Sequence, residues 1–264
     1  MTFSTVIDPA SNLGVGVAFT DRLGGVSEAP HDSLDLGRPG VDPSVDENVA
    51  IVGAAIGCQN LAMCSQVHGT HVVTVDASYP FLGVRRGPAP EADAMVCVDL
   101  GMALVIRVAD CVPVLLADPK RRVIGAAHAG RVGLLAGVLH ETVEAMRGMG
   151  ARDITAWIGP HVCASCYEVP PQMAEDAWSL IPATRGRSAR GTPAIDLGEG
   201  AQAALIADGV RVTRCDPCTS CDPRFFSYRR DQGRTGRQAG VIWLDSAEPW
   251  RVSPPELNFA VASQ

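Results

Sequence analysis

The chain has 264 residues, 47% of them hydrophobic and 19% charged, a balance that supports a sizeable core and excludes long disordered stretches. Its formal net charge of −7 excludes a nucleic-acid-backbone binder, because no basic face offsets that excess. No apolar run reaches the ~20 residues needed to cross a bilayer. The first twelve residues lack the basic start and apolar stretch of a secretory signal, so a cytoplasmic location is expected.

Residues 14–20 alternate as a strand and end in the glycine turn Arg22-Leu23-Gly24-Gly25. A Pro-, Asp- and Gly-rich loop leads to Asp42, after which Ser44 is placed to cap a helix that shows Val45, Val49, Val52 and Ile56 on one face. The stretch 63–75 reads as a hairpin with His68-Gly69-Thr70 near its turn. Four apolar runs follow, 94–98, 103–108, 112–116 and 123–127, each bounded by Gly, Pro or Asp as in a buried sheet. From 130 to 148 the period becomes helical, with Leu134, Leu135, Val138, Leu139, Val143 and Met146 on one face and His140, Glu141, Glu144 and Arg147 on the other. Strands are expected at 154–158, 210–213 and 241–244, helices at 174–180 and 199–207, and a mobile loop at 184–192. Many strands, few helices and no regular β-α alternation predict one domain, a mixed-sheet α/β sandwich over residues 1–264 rather than a doubly wound fold.

Chemistry concentrates where strands end. Gln66-Val67-His68-Gly69, Ala109-Asp110-Cys111 and Ala127-His128-Ala129-Gly130 each put a ligand-type side chain at or just past a strand terminus, where a rigid scaffold aims it into open space. Two imidazoles and a thiolate are a donor set that zinc accepts with a fourth position open. Packed core residues are the alternative for each phrase alone, and Asp110 is read as an orienting partner for a histidine or as a turn residue. Gly130-Arg131-Val132-Gly133 opens the helix and offers free N–H groups to an anion. The other histidines, His31, His71, His140 and His161, are assigned no ligand role.

Nine cysteines, an odd number in a chain too large to need staples, favour thiols or metal ligands over disulfides. Cys163/Cys166 and Cys218/Cys221 are Cys-x-x-Cys pairs that together would make a four-cysteine zinc site. The 51 residues between them, and the absence of turn glycines after the first pair, argue against a zinc ribbon. Residues 222–237 interleave Phe225, Phe226 and Tyr228 with arginines and glycines, offering ring faces to a base and guanidinium forks to a phosphate or carboxylate.

In this order the phrases form a pattern. Phe19-Thr20-Asp21-Arg22-Leu23-Gly24-Gly25, Ser33-Leu34-Asp35-Leu36-Gly37, the His68, Cys111 and His128 phrases, Ile158-Gly159-Pro160 with Cys166-Tyr167-Glu168-Val169, and Cys218-Thr219 through Phe225-Phe226-Ser227-Tyr228-Arg229-Arg230 to Gly236-Arg237 resemble the YfiH-like family. That family is also called the laccase-domain, polyphenol oxidase or peptidoglycan editing factor family, and the match runs from about residue 14 to 244. The resemblance implies a single-domain mixed α/β sandwich with one zinc on His68, Cys111 and His128. It also implies purine nucleoside chemistry: phosphorolysis of adenosine, inosine, guanosine or S-methyl-5′-thioadenosine, and deamination of adenosine. The partners are then small molecules, the nucleoside and phosphate, with neither a nucleic acid polymer nor a membrane.

On the motif matches, Arg22, Asp35 and Arg229 are candidates to bind phosphate or substrate, Phe225, Phe226 or Tyr228 to stack on the base, and Gln66 and Asp110 to support the ligands. The chain departs from the family pattern in three places. His128-Ala129-Gly130-Arg131-Val132-Gly133 replaces His-Ala-Gly-Trp-Arg-Gly, Asp35 replaces an asparagine, and Arg107 stands where a small hydroxyl residue is usual. Six histidines without a His-x-His pair do not suffice for a multicopper cluster, although copper, which binds nitrogen and sulfur donors more tightly than zinc, is a possible substitute at one site. Two alternatives stay open: a hydrolase or editing factor acting on peptidoglycan precursors with Cys111 as nucleophile and His128 as base, and a non-catalytic metal-bound interaction protein.

Overall fold

Alternation along the strands sends every second side chain to a different core, and this builds the layers. The computed structural model describes residues 3–80 and 88–245. In chain order these form β1 (Phe3–Ile7), β2 (Val15–Thr20), α1 (Pro43–Ile56), β3 (Asn60–Ala62), β4 (Val72–Thr74), β5 (Ala94–Cys97), β6 (Met102–Val108), β7 (Val112–Asp118) and β8 (Val123–Ala129). Then come α2 (Arg131–Ala136), α3 (Val138–Gly148), β9 (Thr155–Ile158), α4 (Pro171–Leu180), β10 (Arg185–Arg187), β11 (Pro193–Ile195), α5 (Leu197–Ala207), β12 (Arg211–Arg214) and β13 (Gln238–Leu244).

One mixed sheet has the order β1-β2-β13-β6-β3 and the other β12-β9-β7-β8-β5-β4. Val15, Val17 and Phe19 of β2, Leu104 and Ile106 of β6, Leu115 of β7 and Ile124 of β8 meet between the sheets. The alternate residues Ala18, Ala103 and Val105 turn outward to α1, whereas Val114, Leu116, Val123 and Ala127 turn outward to α3 and α5. Both sheets are therefore apolar on both faces, which is why 112–118 and 123–129 read as continuous buried runs rather than clean alternation. Each fully buried Leu, Ile or Phe contributes about 2 kcal/mol. The expected mixed-sheet α/β sandwich is the observed one.

Local departures have local causes. The helix at 43–56 is capped by Asp42, whose carboxylate accepts the Ser44 N–H at 2.9 Å, with Pro43 in the first turn, so Asp42 and not Ser44 is the cap. The expected helix over 130–148 is two helices, because Gly137 takes a left-handed φ of 96° and ends α2, while Leu134, Val138, Leu139, Val143 and Met146 still share one buried face. The stretch 63–75 is not a hairpin. β3 pairs with β6 in one sheet and β4 with β5 in the other, both parallel, so residues 63–71 cross between the sheets. The segment 184–192, expected to be a mobile loop, instead carries β10 and the turn into its antiparallel partner β11, closed by a Ser188–Thr192 hydroxyl contact of 2.5 Å. Among the described residues no helix is long and apolar enough to cross a membrane.

Candidate metal centre and its cavity

His68 lies on the crossing between the sheets, Cys111 on the tight link from β6 to β7, and His128 one residue from the end of β8. The β6–β7 link is itself a passage from one sheet to the other. Two of these corners use left-handed backbone, φ 63° at His68 and φ 87° at Asp110, conformations that His and Asp adopt more readily than most side chains. The first corner is held by Asp93, just before β5, which accepts the backbone N–H groups of Val67 (3.1 Å), His68 (2.9 Å) and Gly69 (2.6 Å). The second is held by the Asp110 carboxylate, which accepts from the Thr219 hydroxyl and the Arg229 N–H, both at 2.6 Å.

Asp110 therefore does not orient a histidine. Its left-handed turn sends the carboxylate to the 219–229 loop, and the histidine partner is Asp93, whose Oδ1 lies 2.8 Å from His128 Nδ1. Both groups are buried, and the contact leaves His128 Nε2 for the site. Asp93 belongs to none of the sequence phrases, and its one visible signal is a carboxylate directly before the apolar run 94–98. Gln66 supports the site differently from a ligand partner: its amide pairs with the Arg107 backbone at 2.8 and 3.0 Å, continuing strand-like bonding beyond β3.

The imidazole nitrogens and the Cys111 sulfur lie within 4.8 Å of one another. Cys111 Sγ is 3.8 Å from His68 Nε2, close to the ~3.6 Å that tetrahedral zinc with ordinary bond lengths requires. The imidazoles stand edge to face, 4.7 Å apart at 75°. Gly130 clears the space beside them: a Cβ there would come 2.7 Å from His68 Cδ2 and 3.1 Å from Cys111 Sγ. Two imidazoles and one thiol with a supported histidine thus fit a metal ion with a coordination position left over.

Charge is arranged to match. Burial opposes ionisation of Cys111, but the contacts and charge of His128 and His68 outweigh it and bring the thiol down to about 6. Burial opposes a charged His128, yet Asp93 and Cys111 raise it to about 9. Burial also works against the Asp93 carboxylate, and the hydrogen bonds from His128 and the 67–69 backbone keep it below the usual range.

A cavity of about 610 Å³ opens over the three groups. Arg107, Arg131, Arg229 and Arg237 line it with Tyr167 and Tyr228. Arg229 lies 5.1 Å over the Tyr167 ring and Arg237 5.9 Å over Tyr228, so aromatic faces position two of the guanidiniums. Arg107 donates to the carbonyls of Gly37 (2.7 Å) and Cys64 (2.8 Å).

Of the substrate candidates, Tyr228 and Arg229 line the cavity; Arg22, Asp35 and Phe226 do not. Arg22 donates to Asp32 and lies 4.7 Å over the fully buried ring of Phe226. The buried Asp35 acts through others, accepting the N–H groups of Gly37 and Arg237 at 2.8 Å, and its own carbonyl is held by Asn48 at 2.9 Å. Tyr167, Arg107, Arg131 and Arg237 stood in the motifs or at the departures from them, but their convergence on one cavity follows from the topology and not from spacing.

Comparison with known proteins agrees with this architecture. The family model described as multi-copper polyphenol oxidoreductase laccase matches residues 16–245. A Streptomyces griseus protein named purine nucleoside phosphorylase is 45% identical over 235 residues, covering 86% of this chain and 94% of that protein. A Streptomyces coelicolor protein of the same name is 44% identical, covering 88% and 96%. Among solved structures, a Neisseria meningitidis DUF152 protein superposes with a TM-score of 0.78 at 35% identity, covering 93% of this chain and all of that one. YlmD from Geobacillus stearothermophilus also gives 0.78 at 29% identity, covering 88% and 92%. The chain belongs to this laccase-like YfiH/DUF152 family.

Proposed function

We propose that this protein is a zinc-dependent purine nucleoside phosphorylase acting on adenosine, inosine, guanosine or S-methyl-5′-thioadenosine, with adenosine deaminase activity at the same site. The observation that carries the reading is the cavity: a His68/Cys111/His128 donor set faces four arginines and two tyrosines. The relatives' names support the same class of substrate.

In phosphorolysis a phosphate oxygen bonds to the sugar's anomeric carbon as the carbon–nitrogen bond to the base breaks, and the base leaves with the electron pair and gains a proton. The residues must hold an anion against a carbon that becomes positive, a task of position and charge. Arg229 is assigned to the phosphate together with Arg131 and Arg237, and Tyr228 and Tyr167 to the face of the base. Asp35 and Asp110 position Arg237 and Arg229 through their backbone N–H groups. Arg22 and Phe226 are assigned to support of the surrounding loops. A bound zinc would supply Lewis acidity at its open position, held by His68, Cys111 and His128. Deamination is a separate displacement on the base: water would add to C6 of the adenine ring, the bond from C6 to the exocyclic nitrogen would break, and ammonia would leave with the water's proton, giving inosine.

The test is to incubate zinc-loaded protein with adenosine, inosine and methylthioadenosine, with and without phosphate. Free base with the sugar phosphate, appearing only when phosphate is present, is the expected result, with inosine formed from adenosine. No product from any nucleoside would refute the reading.

A second reading has one observation behind it. Cys111, His128 and Asp93 are arranged as a thiol, a base and an orienting carboxylate, the order used by thiol hydrolases, which suits hydrolysis of a peptidoglycan precursor. A chelator separates the two: it should abolish nucleoside turnover, whereas a thiol hydrolase works metal-free and is lost to alkylation.

A further inference from the structure

The two Cys-x-x-Cys pairs lie far apart in sequence, yet the fold makes them neighbours. The first follows β9 and the second follows β12, and these strands pair in parallel, with Ile158 opposite Arg214 at the end from which both chains leave. The connections then run on side by side. Cys215 N–H donates to the Ile158 carbonyl at 2.9 Å, and Thr219 N–H to the His161 carbonyl at 3.0 Å. Each pair sits on a tight turn, closed by Cys166 N–H to the Cys163 carbonyl and by Asp222 N–H to the Cys218 carbonyl, both 3.0 Å. The 51-residue gap that argued against a joint site is thus spanned by the sheet, and no ribbon is needed.

The four sulfurs of Cys163, Cys166, Cys218 and Cys221 lie within 4.8 Å of one another. Cys166 and Cys221 are 3.4 Å apart, and the Cys163 N–H points at the Cys218 sulfur at 3.3 Å. In a tetrahedral zinc tetrathiolate, bond lengths near 2.3 Å set every S···S separation at about 3.8 Å. Two separate disulfides would require closeness only within each pair, whereas here all four converge. Three of the cysteines are half-buried and Cys221 is exposed, so an ion has a path in from solvent. Cys215 is not part of this group.

We propose that these four cysteines bind a second metal ion, a structural zinc distinct from the one assigned to His68, Cys111 and His128. The ion staples two loops that both wall the cavity. One carries Val162 and Tyr167, the other leads to Tyr228 and Arg229. Both are tied to the residue beside Cys111, since Val162 N–H donates to the Asp110 carbonyl at 3.0 Å and the Thr219 hydroxyl to its carboxylate at 2.6 Å. A closed four-sulfur shell leaves no position for substrate, so the role is to fix the wall.

The experiment uses the full chain carrying His68→Ala and Cys111→Ser, which removes the first donor set and makes the result independent of any nucleoside activity. The reduced protein is loaded with zinc, desalted, and measured for zinc per chain and for zinc-edge X-ray absorption. One zinc per chain with four sulfurs at about 2.3 Å is expected, against two per chain in the unsubstituted protein. Cys166→Ser with Cys221→Ser, in the otherwise native chain, should lose one of those two. No retained zinc in the His68→Ala/Cys111→Ser protein, or a retained zinc bound by nitrogen and oxygen, would overturn the proposal. So would a Cys163–Cys218 or Cys166–Cys221 disulfide found by mass spectrometry in protein from reducing cytoplasm. Should the serine variants not fold, the absorption measurement on the four-cysteine protein still decides.

Discussion

One carboxylate oxygen serves both histidines of the candidate metal centre: Asp93 Oδ1 accepts from His128 Nδ1 at 2.8 Å and from the His68 backbone N–H at 2.9 Å. Oδ2 takes the N–H groups of Val67 and Gly69. All four contacts need an acceptor, and an amide offers only one oxygen. Asp93→Asn should therefore weaken zinc binding about 10- to 100-fold. It should also cost about 1–3 kcal/mol of stability from the buried donors left unpaired. A competition titration with a zinc chelator and urea unfolding measure the two effects; zinc affinity equal to the parent's would show that the carboxylate does not orient the donors.

Gly130→Ala separates metal binding from folding. The glycine's φ of −71° and ψ of 165° suit alanine, so the backbone resists nothing and loses some unfolded-state freedom. The added Cβ nevertheless collides with His68 and Cys111. Expected are a chelator-treated melting temperature within a few degrees of the parent's and a zinc affinity reduced at least ~10-fold, because the donors can no longer close to zinc distance. Calorimetry with and without zinc reads both.

Arg229 and Arg22 should behave differently although the motifs make both anion candidates. Arg229→Ala removes a guanidinium from the cavity and, on the proposed function, should raise the KM for phosphate about 10- to 150-fold, the loss of a charged hydrogen bond worth about 1.5–3 kcal/mol. Arg22→Ala breaks contacts with Asp32 and Phe226 outside the cavity and should lower stability with the phosphate KM changed less than ~3-fold. Phosphate saturation curves decide, and an Arg22→Ala effect as large as that of Arg229→Ala would place Arg22 at the anion.

Asp118, at the end of β7, supplies a pH-dependent part of the stability. Its buried carboxylate accepts the N–H groups of Arg121, Arg152 and Asp153 at 2.8–3.2 Å. Burial works against the charge, but these bonds hold the group below the usual carboxylate range. A depressed folded value means the stabilisation is present above the unfolded value of about 3.9 and is lost as pH falls through the folded one. Asp118→Asn should cost about 2 kcal/mol at pH 7, and that gap should narrow on acidification below pH 4. Urea unfolding of both proteins at several pH values checks the sign: a gap that widens in acid contradicts it.

The layers were legible because buried strands carry apolar residues wherever they run, and 103–108, 112–116 and 123–127 needed no partner to be recognised. Cys111 and His128 are legible for a related reason, since each stands where such a run stops, whereas His68 stands six residues past β3 on the crossing between the sheets and is legible only from its phrase. What spacing could not convey was pairing. Residues 63–75 read as a hairpin because two short strands near a His-Gly turn look alike whether they join each other or opposite sheets. Asp93 stayed hidden because its partners are 35 residues away at His128 and 25 at His68. The linear gap between the cysteine pairs says nothing of their distance, which the parallel register of β9 and β12 decides. Arg22 is the reverse case, a motif residue whose guanidinium pairs locally with Asp32 and does not line the cavity.

The β6–β7 link that carries Cys111 is a passage between sheets, and His68 lies on another such passage. The donors consequently exist as a set only after the two sheets have docked, and an unfolded chain presents no comparable constellation. An ion that binds only the native state adds to global stability by mass action, about 2.7 kcal/mol when its free concentration is a hundred times its dissociation constant. A chelator should therefore lower the melting temperature of the entire sandwich, and the metal would act as a thermodynamic latch on tertiary assembly as well as a reagent.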